Sequence, residues 1–174
     1  MIFIKEFADQ GVFAILENHE FYGNAASAQE YLENHNITVL RDSTVILANE
    51  ISIVGREDIT AERIYGRHRK TLEKLLSELD TQHPVFVIDH QPCHLEHVAT
   101  LEVDLQVSGH THHGQMCPFN YITRSIFEIS KGYGQIGNTH FYISSGYGTW
   151  GPPVRTNSRS EIAVLEIHGE NNTK

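Results

Sequence analysis

The segment Gly109-His110-Thr111-His112-His113-Gly114-Gln115 places two imidazoles, at 110 and 112, one residue apart. It follows a short apolar run, Val103 to Val107, that reads as a buried strand. Two side chains so spaced at a strand end can turn toward the same edge, and glycines on either side are expected to permit the sharp bend. Neutral imidazole is the commonest metal ligand, and metal-bound water is a strong nucleophile at neutral pH. The chemistry suggested is therefore metal-assisted hydrolysis. A single His-x-His also occurs in ordinary solvated loops, so other segments must decide. Two do: Glu17-Asn18-His19-Glu20 after the run Gly11 to Leu16, and Asp89-His90-Gln91-Pro92 after Val85 to Ile88. Each is a short β-rich run followed by a polar loop that offers Asn or His. Ligands gather at the carboxyl ends of the strands of a parallel sheet, so three such loops can converge.

The elements that must position these residues follow from periodicity. Gly11 to Leu16 is a strand candidate. Asn24 is placed to cap a helix from Ala25 to about Asn34, with Ala28, Tyr31 and Leu32 on one face. Ile37 to Leu40, Thr44 to Ala48 and Ile51 to Gly55 are three short β runs whose connectors suit an antiparallel meander. Tyr65 to Leu79 reads as one helix, with Leu72, Leu75, Leu76 and Leu79 as its packing stripe. Val85 to Ile88, a short helix around Leu95 to Thr100, and Val103 to Val107 form a βαβ unit. Pro118 to Phe127 reads as a loop with a helical turn. Gly132 to Ile136 and Thr139 to Ser144 flank Gly137-Asn138, a hairpin signal. Glu161 to Ile167 reads as a strand buried on both faces, and 169–174 as a disordered tail.

At 174 residues one domain, 1–168, is expected. Hydrophobic content of 40% and charged content of 20% are those of a globular protein. The formal net charge of −9 argues against a nucleic-acid backbone as partner. No apolar stretch approaches the ~20 residues of a spanning helix, and Lys5, Glu6 and Asp9 interrupt the apolar opening where a signal peptide would need continuity. A cytoplasmic location is the expectation, with membrane association of a longer parent protein left open. Cys93 and Cys117 make no disulfide framework; they are either reduced thiols near a cleft or part of a Cys/His zinc site.

These motifs together resemble the calcineurin-like metallophosphoesterase family. The chain is most similar to a bacterial branch with Gly-His-Thr-His-Gly/His-Gly-Gln that ends near Gly-Thr-Trp-Gly-Pro-Pro-Val-Arg, here Gly148 to Arg155. The resemblance runs from about Gly11 to Ile167. It implies an α/β sandwich of two mixed β-sheets flanked by helices, and two divalent metal ions (manganese, iron or zinc). Asn18, His90 and His110 would bind the second metal and His112 the first. His19 would stand beside the scissile phosphate as general acid or transition-state stabiliser. The implied reaction is hydrolysis of a phosphate ester or pyrophosphate by a metal-bridging hydroxide. The substrate would be a phosphorylated small molecule or a lipid-linked one. In the loop from Gly146 to Arg155, Arg155 would contact a phosphate, or Trp150 and the prolines would simply lock the loop.

Two departures qualify that picture. The family pattern opens with Asp-x-His and Gly-Asp-x-x-Asp on its first strands, and neither precedes Asn18. The expectation is an N-terminally truncated member without its first strands, prone to self-association through an uncovered sheet edge. The alternative function is an inactive remnant that binds a single metal or another protein. Glu17 stands where the family has Gly, adding a negative charge to that turn.

Overall fold

Valine, isoleucine and threonine in the runs 43–46, 52–55 and 85–88 favour strands, because β-branched side chains fit a pleated, half-buried surface. The computed structural model describes residues 10–48, 51–79, 83–156 and 158–168. Its elements in chain order are β1 (Phe13–Ala14), α1 (Asn18–Tyr22), α2 (Ala25–Glu33), β2 (Thr38–Val39), β3 (Ser43–Ile46), β4 (Ser52–Gly55), α3 (Thr60–Tyr65) and α4 (Leu72–Leu76). There follow β5 (Val85–Ile88), α5 (Leu95–Val98), β6 (Leu105–Ser108), a 3-10 turn (His112–Gly114), α6 (Phe119–Ile126), β7 (Gly132–Ile136) and β8 (Thr139–Ile143). Six strands form a mixed sheet in the order β3-β4-β5-β6-β8-β7, and β1 pairs with β2 in a separate two-stranded parallel sheet. Strands β4, β5, β6 and β8 run parallel, with β3 and β7 antiparallel at the edges. The fold is α/β, with helices flanking the sheet.

Two cores hold these layers. Val54, Val85, Val87, Phe141 and Ile143 of the large sheet pack with Leu72, Leu75 and Leu76 of α4 and Leu95 and Val98 of α5. Each such side chain contributes about 1.5–3 kcal/mol when fully buried. Ala14 and Leu16 pack with Phe21, Ala25, Leu32, Ile37 and Ala61 in the second core, which seats α1 and α2 beside the small sheet. As expected, Asn24 caps α2, its Oδ1 accepting from the Ser27 amide at 3.1 Å. The βαβ unit and the 132–143 hairpin also form where expected, with Gly137 at φ +57° in the turn.

Several expectations need correction. Of the helix expected from Tyr65 to Leu79, only α4 (Leu72–Leu76) forms beyond Tyr65, which is the last residue of α3. Gly66, at φ +64°, caps α3, and Thr71 starts α4 by accepting from the Lys74 amide at 3.3 Å. The residues between are drawn into tertiary contacts, since the Lys70 amide donates to Asp42 Oδ2 at 2.7 Å and Arg69 reaches Asp89. The expected meander fails because β2 pairs with β1; of the three runs, only those of β3 and β4 are antiparallel neighbours. Residues 119–126 form a helix rather than a loop with a turn. The segment 161–167 forms no strand and is open to solvent, Val164 being 78% exposed. Tyr31 is 60% exposed rather than packed with Leu32. The expected tail at 169–174 and the chain opening fall outside the described residues. Among the described residues, no helix is long and apolar enough to cross a membrane.

Candidate metal centre

The parallel strands bring their carboxyl ends to one edge, and the polar loops leave from that edge. Register fixes the neighbours: Gly55 pairs with Ile88 and Ile88 with Val107, so the loops after β4, β5 and β6 start level. The Gly109 amide then donates to the His90 carbonyl at 3.0 Å, which sets the two histidine loops side by side. From the small sheet, the chain leaves β1 and enters α1 at Asn18, facing the same edge.

Three donor atoms meet there. His90 Nε2 lies 3.0 Å from Asn18 Oδ1 and 3.1 Å from His110 Nδ1. The rings of His90 and His110 stand edge to face, with centroids 4.9 Å apart. One proton on His90 Nε2 directed at both neighbours accounts for the arrangement. A cation in that proton's place would face three lone pairs. The separations fit, since ligand atoms about 2.1 Å from an octahedral ion lie about 3.0 Å apart. Burial holds the His90 imidazole down at about 3, helped by His110. Burial also lowers His110, and it lowers His112 with help from the Arg155 guanidinium. These imidazoles are therefore neutral, the form that binds metals. His19 is exposed on α1, edge-on to Tyr22, and its positive form adds to the lowering of His90, His110 and His112. It flanks the cluster rather than joining it.

The segment after β6 turns in an unforeseen way. The left-handed bends fall on His110 (φ +65°), His112 (+45°), His113 (+49°), Gly114 (+69°) and Gln115 (+46°), whereas Gly109 has no positive φ. Such conformations cost L-residues energy and persist only where the surroundings enforce them. Here Thr111 Oγ1 donates to the Ser130 carbonyl at 2.7 Å and accepts from the His113 amide at 3.1 Å. Buried Gln115 clamps the loop after β8: its Nε2 donates to the carbonyls of Trp150 (2.7 Å) and Pro152 (3.1 Å), and its Oε1 accepts from the Trp150 amide (2.6 Å). That clamp was not anticipated, although a glutamine at the end of a histidine-rich turn is a legible signal for it.

His112 is held apart from the trio. Its Nδ1 lies 3.3 Å from Arg155 Nη2, which also donates to the carbonyls of Ser145 (2.9 Å), Gly146 (3.3 Å) and Gly148. Arg155 Nη1 donates to Ser158 Oγ at 3.0 Å. The arginine thus ties the loop to His112, while Tyr147 and Trp150 project their rings outward, 73% and 56% exposed.

The neighbouring carboxylates are mostly committed. Asp89 is buried between Arg56 Nη1 (3.2 Å) and Arg69 Nη1 (3.2 and 3.3 Å). Burial raises its carboxyl, against the pull of Arg69 and Arg56. Buried Asp58 accepts from the Thr60 amide at 2.7 Å and from Gln91 Nε2 at 3.4 Å, which steadies the residue after His90. Glu17 Oε2 lies 3.6 Å from His90 Nε2. Among the described residues, no three His, Cys, Asp or Glu side chains form a metal-holding group, so the trio depends on the Asn18 amide, and no Cys/His zinc set forms. A cavity of about 390 Å³ is lined by Arg56, Arg69, Cys93, His94 and His97 among others, and lies apart from the trio.

Over 93% of its length the chain is 33% identical to an uncharacterized metallophosphoesterase of Aquifex aeolicus, of which it covers 62%. It is 32% identical over 92% of its length to an uncharacterized metallophosphoesterase of Helicobacter pylori, covering 44% of it. It is also 31% identical over 89% of its length to a bovine transmembrane protein with metallophosphoesterase domain, covering 38% of it. The chain thus spans about half the length of these relatives. No protein-family profile matches it, and no solved structure does. The relatives align along nearly the whole chain, the sheet is α/β, and the three loops meet at its carboxyl edge: these likenesses support the calcineurin-like metallophosphoesterase family for the chain.

Proposed function

We propose that this chain supplies the metal-binding carboxyl edge of a metal-dependent phosphoester hydrolase, with Asn18, His90 and His110 holding one divalent cation. The observation that carries the reading is the meeting of Asn18 Oδ1, His90 Nε2 and His110 Nδ1 at 3.0 and 3.1 Å. A bound cation of this kind polarises a phosphoryl oxygen or lowers the pKa of a water. The chain's own groups do the rest. Exposed His19 offers a proton to the leaving oxygen. Arg155 keeps a guanidinium beside His112, where it attracts an anionic phosphoryl group without releasing its carbonyl partners. The substrate class is a phosphate monoester, diester or pyrophosphate, free or lipid-linked. Manganese, iron and zinc all suit the Asn/His donor set.

A second reading is a centre for one cation without turnover. It is favoured by His112 standing with Arg155 rather than with a second ligand set. Titration of the chain with Mn²⁺ or Zn²⁺, read by calorimetry, tests both. Saturable binding lost in His110→Ala supports the centre. Phosphodiester turnover that depends on the added cation supports the hydrolase, and one cation without turnover supports the second reading. No binding to the unaltered chain overturns both.

A further inference from the structure

We propose that Glu17 is the anionic ligand of this centre, its carboxylate closing on a divalent cation held by Asn18, His90 and His110. The inference rests on the reading of that trio as a metal site. It adds a residue to which the family resemblance gives no role, since Gly stands there in the family.

Glu17 is the N-cap residue of α1, with extended backbone (φ −104°, ψ 175°). This lets two consecutive side chains reach one imidazole: Asn18 Oδ1 at 3.0 Å and Glu17 Oε2 at 3.6 Å from His90 Nε2. An imidazole that lends its lone pair to a cation carries no proton there, so the Glu17 contact is no ion pair in the loaded centre. The charge that the carboxylate would then meet is the cation itself.

Charge balance points the same way. Amide oxygen and imidazole are neutral donors, and a divalent ion partly stripped of water among neutral donors lacks compensation. Glu17 itself accepts from the Glu20 amide in the capping box of α1, and the other carboxylates nearby are engaged elsewhere. Asp89 is taken by Arg56 and Arg69, Asp58 by the Thr60 amide and Gln91, and Glu20 by the Glu17 amide at 2.8 Å. No three-residue His/Cys/Asp/Glu group is present among the described residues, so Glu17 must move to join the donors. Its oxygen must close from 3.6 Å toward the edge of about 3.0 Å between neighbouring ligands of one ion. The side chain is 29% exposed, so a small torsional change suffices.

The test is Mn²⁺ affinity, by calorimetry and by the electron paramagnetic resonance of free Mn²⁺, for the unaltered chain, Glu17→Gln and Glu17→Gly. The expected result is Mn²⁺ binding weakened by about 10- to 100-fold in both variants, with apo melting temperatures close to that of the unaltered chain. Zn²⁺, better matched to imidazole, should lose less. Equal Mn²⁺ affinity in a folded variant and the unaltered chain overturns the role of Glu17 and leaves the trio standing. Absence of Mn²⁺ and Zn²⁺ binding in the unaltered chain overturns the trio and this inference together. If Glu17→Gln fails to fold, Glu17→Gly carries the same comparison.

Discussion

Replacing Asp89 by asparagine removes one charge from the best-packed ionic cluster near the candidate centre. Asp89 Oδ2 accepts from Arg56 and Arg69, and Oδ1 accepts from Arg69 and from the Gln91 amide at 3.3 Å. Each oxygen thus has two donors directed at it, which leaves no direction for a proton and keeps the group ionised despite its burial. The side chains are 4% (Asp89), 10% (Arg56) and 18% (Arg69) exposed. Breaking a buried pair by removing one partner costs about 3–5 kcal/mol, because the remaining charge stays buried without compensation. Asparagine retains one acceptor oxygen, and Arg56 and Arg69 keep the carbonyls of Lys70 and Glu57, so the expected loss is at the lower end, about 3 kcal/mol. Urea unfolding read as a shift in midpoint at constant m measures it. Because Asp89 precedes His90, weaker Mn²⁺ binding should accompany the loss. Combining Asp89→Asn with Arg69→Met should cost clearly less than the sum of the single changes, as one unpaired charge is then gone. A loss below about 1 kcal/mol for Asp89→Asn would refute the claim that this cluster anchors the strand end.

Three other changes probe the site. At Gly114, a Cβ would run into the backbone of Phe119 and Asn120, and its φ of +69° disfavours other residues; Gly114→Ala should cost about 2–4 kcal/mol in thermal or urea unfolding. Gln115→Ala removes three hydrogen bonds to Trp150 and Pro152; with a single tryptophan in the chain, a red-shifted emission and faster proteolysis of residues 146–155 report the released loop, and an unchanged spectrum would count against the clamp. The pH dependence follows from His90, whose folded value of about 3 lies below the ordinary 6.5. Below pH 6.5 the unfolded chain binds a proton there that the folded chain refuses. Stability from this group is therefore complete above pH 6.5 and declines toward pH 3, by at most about 1.4 kcal/mol per unit. His90→Gln should flatten that part of the acid profile, and an unaltered slope would mean that the imidazole is not kept neutral by the fold.

The sequence by itself determined the elements whose signals are local. Asn24 caps a helix because its own side chain reaches the Ser27 amide, and the βαβ unit and the Gly137-Asn138 hairpin follow from short-range patterning. The family resemblance was legible too, because the three loop motifs and their order along the chain are linear features. What only the tertiary structure decided was set by partners far away in sequence. The helix expected at 65–79 is confined to 72–76, and the residues before it are drawn out, Arg69 onto Asp89 and the Lys70 amide onto Asp42. Thr38 and Val39 joined Phe13 and Ala14 instead of their sequence neighbours, because the small sheet and its core give that strand more to pack against. The motifs named Asn18, His90 and His110, but strand register brought their lone pairs within 3.0 and 3.1 Å. Among the acidic residues beside the motifs, spacing could not choose. Asp89 is buried against arginines while Glu17 faces the imidazole, a difference made by which residues β4, α3 and α4 bring alongside.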